Sequence, residues 1–400
     1  MLSKKSAGIK SSAVRELLKF SKIPGVISLA GGIPATDLID VEGIDTILRD
    51  ILSREHRGLF QYSVTEGEEH LREQLSRWNR GLNLEVKAES IIITNGSQQA
   101  IDLLSRVFLE KGDKVFVERP TYLAALQIFG YTDATVVELE YDSEGIELNL
   151  LEKEMAAGGV KMVYLTPNFA NPTGNTISYE QRVRIAKLSQ QYQVVIVEDD
   201  PYGHLRFSGD PLPSIFSVAQ SLFGENHNVC YMSSFSKIFS PGLRLGWLAV
   251  PDHFHMATVV AKQALDLHTS TLNQSIAAHY LESGRINERV EVLKATYKDR
   301  RDYLISSLQE YCGGDITWNT PEGGMFLWCH LDEDIDASQL LQECIKENVV
   351  FVPGEVFFAR EPQKNSLRLS YSMLTADTAR EAAIRISKAL KRVKASARHD

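Results

Sequence analysis

Ser233-Ser234-Phe235-Ser236-Lys237, continued by Ser240-Pro241-Gly242-Leu243-Arg244-Leu245-Gly246-Trp247, is the stretch around which the chain is read. One lysine stands among three serines, and an arginine follows it by seven residues in a turn framed by proline and glycine. Apolar runs flank the stretch, Val229-Cys230-Tyr231-Met232 before it and Leu245 to Val250 after it. A lysine in such surroundings loses hydration of its ammonium form, so its pKa falls below the ordinary value. The neutral amine can then form a Schiff base with a carbonyl. The serines and Arg244 offer what a doubly charged phosphate needs, small hydroxyl donors and one planar fork. A solvated lysine in a serine-rich turn is the competing reading, and the choice rests on the rest of the chain.

The chain has 400 residues, 44% hydrophobic and 24% charged, which fits an ordinary globular protein of about two domains. A net charge of −9 argues against nucleic acid as a partner but leaves room for a local basic pocket. The four cysteines, Cys230, Cys312, Cys329 and Cys344, form no CxxC pair and sit in apolar segments, as buried free thiols of a reducing compartment would. His253 and His255 have no further ligand nearby, so they read as a loop feature and no metal site is expected. Met1-Leu2-Ser3-Lys4-Lys5 opens no signal peptide, and no run approaches the ~20 apolar residues of a membrane span. The expectation is a cytoplasmic protein.

Along the chain, Ser11 to Phe20 reads as an amphipathic helix with Val14, Leu17 and Leu18 on one face. Val26 to Ala30 reads as a strand running into Gly31-Gly32, a pair that either makes a turn or lets backbone approach a ligand. A charged helix is expected from Glu68 to Arg80. A buried strand, Ser90 to Thr94, is followed by Asn95-Gly96-Ser97-Gln98-Gln99 and an apolar helix, Ala100 to Phe108. That turn is either an anion site at a helix start or a plain N-cap at Ser97, and the two are compatible. Strands follow at Lys114–Glu118, Val160–Leu165, Val194–Glu198 and Val229–Met232, with helices between them such as Ser178–Tyr192. Apolar strands alternating with helices indicate a parallel sheet covered on both faces, with ligands beyond the strands' carboxyl ends. After Pro251 the character shifts: helices from Phe254 to Ser307, strands at Gly323–Trp328 and Ser366–Tyr371, helices at Ala337–Glu347 and Thr375–Val393. The expected division is an N-terminal segment (1–45) joining the small domain and the substrate mouth, a large domain (46–285) and a small α+β domain (286–400).

Further pieces follow strands. Arg119-Pro120-Thr121-Tyr122 carries a ring that can stack on a planar ligand or simply pack at a turn. Asn171-Pro172-Thr173-Gly174 is turn chemistry in which the X-Pro bond can be cis. Glu198-Asp199-Asp200-Pro201-Tyr202 puts acids at the end of an apolar strand, where they need a cationic partner or an exposed loop. Arg368 alternates with Leu367 and Leu369 and so faces away from them.

In this order the pieces resemble the fold-type I pyridoxal-phosphate aminotransferases of class I/II, over nearly the whole chain. The resemblance implies pyridoxal 5'-phosphate as cofactor, carried as an aldimine by Lys237, which also moves the proton at the substrate's Cα. It implies that Asp199 pairs with the pyridine nitrogen, that Asn171 and Tyr202 bond the phenolate oxygen, and that Tyr122 stacks on the ring. Lys237, Asp199 and Tyr122 are the implied catalytic residues. Gly96, Ser97, Gln98, Ser234, Ser236 and Arg244 would hold the phosphate, joined by Tyr62 from a partner subunit. Arg368 would fork the substrate α-carboxylate beside Asn171, with Gly31 and Gly32 at the mouth.

The Glu-Asp-Asp-Pro-Tyr form departs from the Asp-Glu-x-Tyr of aspartate aminotransferases. It looks like the branch of 2-aminoadipate, kynurenine and multi-substrate aminotransferases, which also includes the enzyme-like halves of certain transcription regulators. Those carry a winged DNA-binding domain first, and since the pattern here begins by about residue 26, no such domain is expected. The implied enzyme is a homodimer that passes the amino group of an L-amino acid to a 2-oxo acid, 2-oxoglutarate foremost, in a ping-pong cycle. The donor is expected to be aromatic, 2-aminoadipate-like or one of a broad range, with Phe169, Phe235 and Phe239 hinting at an apolar pocket. The alternatives are a β-lyase on the same scaffold and a non-catalytic sensor of amino acid or cofactor. A nucleotide-binding protein is the weakest reading, since no GxxxxGK[ST] or GxGxxG follows a strand.

Overall fold

The computed structural model describes residues 13–17, 19–20, 23–54, 57–142 and 145–397. The helix expected over Ser11–Phe20 is described as Ala13–Leu17, while Ser11, Ser12, Leu18 and the Met1–Lys5 stretch lie outside the described residues.

The main sheet is built from β1 (Ile91–Thr94), β2 (Lys114–Glu118), β3 (Thr135–Leu139), β4 (Val160–Leu165), β5 (Val195–Asp199), β6 (Val229–Ser234) and β7 (Gly246–Ala249). Across the sheet the order is β1-β7-β6-β5-β4-β2-β3, and β7 alone runs against its neighbours. Successive side chains point to opposite faces, so each apolar run feeds two cores. Ile92, Val115, Val117, Tyr164, Val197 and Met232 face one core, which helices Ser97–Phe108, Leu123–Phe129 and Asp252–Asp266 close with Ala100, Ile101, Leu104, Ala125, Phe129 and Val259. Ile91, Ile93, Phe116, Val163, Leu165 and Ile196 face the other, which Leu71, Leu75, Ile185, Ile215, Ala219 and Ile276 cover from four helices. Burial on both faces is why these strands are β-branched without polar alternation. This is the expected α/β arrangement.

A smaller α+β unit carries an antiparallel sheet of β8 (Thr317–Trp318), β9 (Phe326–His330), β10 (Val352–Pro353) and β11 (Ser366–Ser370), ordered β8-β9-β11-β10. Helices Arg285–Cys312, Ala337–Lys346 and Ala376–Ala397 accompany it. Near the N-terminus, Ile27 and Ser28 pair in parallel with Val349 and Val350, and Leu29 O accepts a hydrogen bond from Ser370 N (2.8 Å). These bonds carry Ala30 to Pro34 from the smaller sheet to the ends of the main strands.

Several expectations shift. The strand expected at Val194–Glu198 ends one residue later, which puts Asp199 in the sheet opposite Met232. The helix expected from Ala100 begins at Ser97, and its cap is Gly96 at φ +78°, a conformation that glycine adopts without strain. Ser97 is therefore inside the helix and not its N-cap. His253 and His255 belong to helix Asp252–Asp266 and not to a loop, because Pro251 and Asp252 make a good helix start and Phe254 packs on Phe108. The strand expected from Gly323 forms only at Phe326, since Gly324 turns the chain at φ +76°. All four cysteines are buried and unbridged. Among the described residues no helix is long and apolar enough to cross a membrane, and no group of His, Cys, Asp or Glu could hold a metal.

Candidate active site

A cavity of about 500 Å3 opens beyond the carboxyl ends of β4, β5 and β6. Tyr164 and Thr166 line it from β4, Asp199 and Tyr202 from β5, Ser234, Ser236 and Lys237 from β6. Tyr122 follows β2, Ser97 and Gln98 open the helix after β1, and Gly32, Arg368 and Phe357 close it from the smaller unit's side. Strand ends point their last side chains and loops to one place, so a parallel sheet concentrates polar groups there.

Lys237 donates from Nζ to Gly32 O (2.7 Å). Burial pushes its amine down to about 8, helped by the nearby cations Arg368 and Arg244 and opposed by Asp199. Asp199 accepts at Oδ2 from Tyr164 Oη (2.6 Å), while its Oδ1 is buried with no partner. Burial pushes this carboxyl up to about 7, against the Tyr164 hydrogen bond. An unpartnered buried carboxylate oxygen is costly in isolation and suits a ligand N–H.

Arg368 is 2% exposed, and no carboxylate among the described residues pairs with it. Its Nη1 donates to Asn171 Oδ1 (2.7 Å) and its Nη2 to Ala30 O (2.6 Å), but Nε has no partner. The guanidinium lies over the rings of Phe326 (4.3 Å) and Phe357 (5.0 Å), and burial pushes its pKa down to about 10. Leu367 and Leu369 face the core, as the alternation along the strand requires. Asn171, joined to Pro172 by a cis peptide, also bonds the Tyr202 hydroxyl.

At the opposite end, Arg244 stands at φ +50° and donates from Nη1 to Ser236 Oγ (3.4 Å) and Pro241 O (3.3 Å). Ser234 Oγ donates to Ser236 Oγ (2.9 Å). A Cβ on Gly96 would come within 2.7 Å of Arg244 Nη2, so only glycine lets the guanidinium cross there. Ser97 and Gln98 are the first residues of helix Ser97–Phe108, whose free N–H groups and dipole favour an anion.

The remaining candidates divide between the cavity and its surroundings. Gly32 lines the cavity and Gly31 does not. Tyr62 lies outside it, 80% exposed, with its ring edge-on to His268 at 5.9 Å. Phe169, Phe235 and Phe239 do not wall the cavity as expected: Phe239 stacks on Tyr280 (4.0 Å), Phe235 packs on Trp247 (5.0 Å), and Phe169 lies under Arg206 (4.7 Å). The core claims all three, and the apolar wall is Ile33, Leu123, Ala124 and Phe357 instead. Sequence reading missed Tyr164, although a tyrosine in the apolar run Met162–Leu165 must find a hydroxyl partner once buried. Phe357 carried no local signal.

The residues fit pyridoxal 5'-phosphate. A flat ring beside Tyr122 would put a pyridine nitrogen toward the open oxygen of Asp199, a phosphate toward Arg244, the serines and the helix start, and a carbonyl toward Lys237.

The sequence profile of aminotransferase class I and II matches residues 24–386. Aromatic-amino-acid aminotransferase 1 of Thermococcus litoralis is 40% identical over 97% of this chain and 94% of its own. The 2-aminoadipate transaminase of Thermus thermophilus is 36% identical over 97% of this chain and 96% of its own. The crystal structure of multiple substrate aminotransferase from Thermococcus profundus superposes with a TM-score of 0.91 at 38% identity, covering 99% of this chain and 98% of that one. Profile, relatives and cavity chemistry agree, and the chain belongs to the class I and II aminotransferases as a pyridoxal-phosphate-dependent enzyme.

Proposed function

We propose that the enzyme moves the amino group of an L-amino acid, aromatic, 2-aminoadipate-like or one of a broad range, to 2-oxoglutarate in a ping-pong cycle. The observation that carries this reading is Arg368: a buried guanidinium whose Nε has no partner and against which no carboxylate stands among the described residues, lining the same cavity as Lys237 and Asp199. Such a charge is stabilised when a ligand carboxylate arrives. The similar aromatic-amino-acid, 2-aminoadipate and multiple substrate enzymes support the donor range.

When bound, the cofactor supplies an electron sink for negative charge at the substrate's Cα. Arg368 and Asn171 hold the α-carboxylate and so orient the Cα–H bond. Lys237 Nζ carries the cofactor and afterwards moves the proton at Cα, a task suited to an amine held near 8. Asp199, steadied by Tyr164, keeps a proton on the ring nitrogen. Asn171 and Tyr202 would hold the ring's phenolic oxygen, and Tyr122 would cover a ring face. Gly96, Ser97, Gln98, Ser234, Ser236 and Arg244 hold the phosphate. Gly31 and Gly32 border the mouth. Tyr62, exposed on one subunit, completes the phosphate site of its partner in a homodimer.

The test is a half-reaction with the holoenzyme and each common L-amino acid, plus 2-aminoadipate and kynurenine, in the absence of acceptor. A fall in the cofactor's visible absorbance that 2-oxoglutarate restores is expected, and Lys237→Ala should abolish it. Pyruvate and ammonia without acceptor would make the enzyme a β-lyase. No change with any donor would make the protein a sensor.

A further inference from the structure

Two charged residues outside the cavity grip the segment that supplies Phe357 to its apolar wall. Arg119 lies just past β2 and Glu138 lies in β3, and their side chains pair (Nη1 to Oε2, 2.7 Å) with only 13% and 6% exposed. Neither lines the cavity. The Glu138 carboxylate accepts the N–H groups of Ala359 (2.7 Å) and Arg360 (3.1 Å). Arg119 donates to the carbonyls of Arg360 (2.8 Å) and Glu361 (2.7 Å). Two backbone N–H groups and two carbonyls of three consecutive residues in the smaller unit are thus held by one ion pair at the main sheet. The guanidinium also covers the Phe358 ring (5.0 Å), and Thr121 N donates to Phe357 O (2.9 Å). Thr121 immediately precedes Tyr122, so this bond seats Phe357 beside another residue of the cavity lining.

A buried acid on an edge strand is costly unless its oxygens are satisfied, and among the described residues Glu138 bonds Arg119 and the Ala359–Arg360 backbone. We propose that Arg119 and Glu138 are positioning residues that fix Phe357 as the wall against the donor's side chain and thereby set discrimination among donors. The inference rests on the aminotransferase reading, since it requires a donor side chain in this cavity. A fork matched to two carbonyls explains arginine at 119, because an ammonium cannot span both.

The test compares holoenzyme with Glu138→Gln and Arg119→Lys in single-turnover half-reactions with L-phenylalanine and L-alanine. Each variant should weaken phenylalanine binding about tenfold with its limiting rate kept, and leave alanine nearly unchanged, so the ratio of rate over Kd falls by about the same factor. Phe357→Ala should reproduce that lost discrimination, and adding Glu138→Gln to it should cost nothing further. Equal losses for both donors, or effects that add in the double variant, would overturn the proposal, as would an unchanged ratio. Should Glu138→Gln fail to fold, Arg119→Lys and the Phe357→Ala cycle carry the same test. A wild-type enzyme that converts no donor would instead sink the reading on which the inference stands.

Discussion

Arg182 and Arg368 are both buried, and they do opposite things. Arg182 donates from Nε to Ile177 O (2.9 Å), from Nη1 to Pro213 O (2.9 Å), and from Nη2 to Pro167 O (2.9 Å) and Asn168 Oδ1 (2.6 Å). Glu198 and Asp200 stand close enough to balance its charge. Each of its three nitrogens has a partner, and it ties the loop after β4 to helix Tyr179–Tyr192 and to Pro213. Arg368 lines a cavity and leaves its Nε without a partner. The same contrast divides the adjacent acids Glu198 and Asp199, each pushed up to about 7 by burial. Glu198 accepts from Ile215 N (2.9 Å) and Phe216 N (2.8 Å), whereas Asp199 leaves Oδ1 empty. Burial and a shifted pKa mark both members of each pair. The open valence beside a cavity separates the site residue from the structural one.

The largest expected effect breaks the arginine pair apart. Arg368→Ala should weaken donor binding about 1,000-fold in an absorbance titration. Arg182→Ala should instead cost about 3–5 kcal/mol in a denaturant melt, with donor affinity kept in the folded fraction. Equal effects of the two on donor affinity would refute the distinction. For the acids, Asp199→Asn should slow the half-reaction about 100-fold, while Glu198→Gln should lower stability by about 1–3 kcal/mol and leave that rate alone.

A smaller effect concerns Lys237, the third group that burial has shifted. With its amine at about 8, the rate at which cofactor loads onto stripped enzyme should rise roughly tenfold between about pH 7 and 9 and then level off. A rate still climbing steeply above about pH 9 would mean an ordinary amine. Smallest is Gly96→Ala, where positive φ and the Arg244 contact together should weaken cofactor binding by about 1–2 kcal/mol. Gly112→Ala, at φ +95° with nothing near, should touch stability only, and cofactor titration of the two variants checks this.

Legibility followed local signal. The β-branched strands and the small polar turns after them were readable because both faces of a parallel sheet are buried and each strand end needs a turn. The edge strand Thr135–Leu139 and the helices Val41–Arg54, Leu148–Ala157 and Ile215–Phe223 went unread. The edge strand carries the polar Thr135 and Glu138, and Glu138 sits in it because of a partner more than two hundred positions away. Phe169, Phe235 and Phe239 misled for a related reason: closeness to a motif in sequence says nothing about which side of the chain the ring faces.

By itself, the sequence determined the buried central strands, the lysine and arginine of the central turn, and the strand-end chemistry, because these depend on residues within a few positions of one another. Only the tertiary structure decided which buried charges are satisfied and which stay open, and that Phe357 rather than the motif phenylalanines walls the cavity. It also decided that Arg119 and Glu138 hold that wall in place. Each of these depends on where distant backbone donors and acceptors come to rest, and no local pattern encodes that.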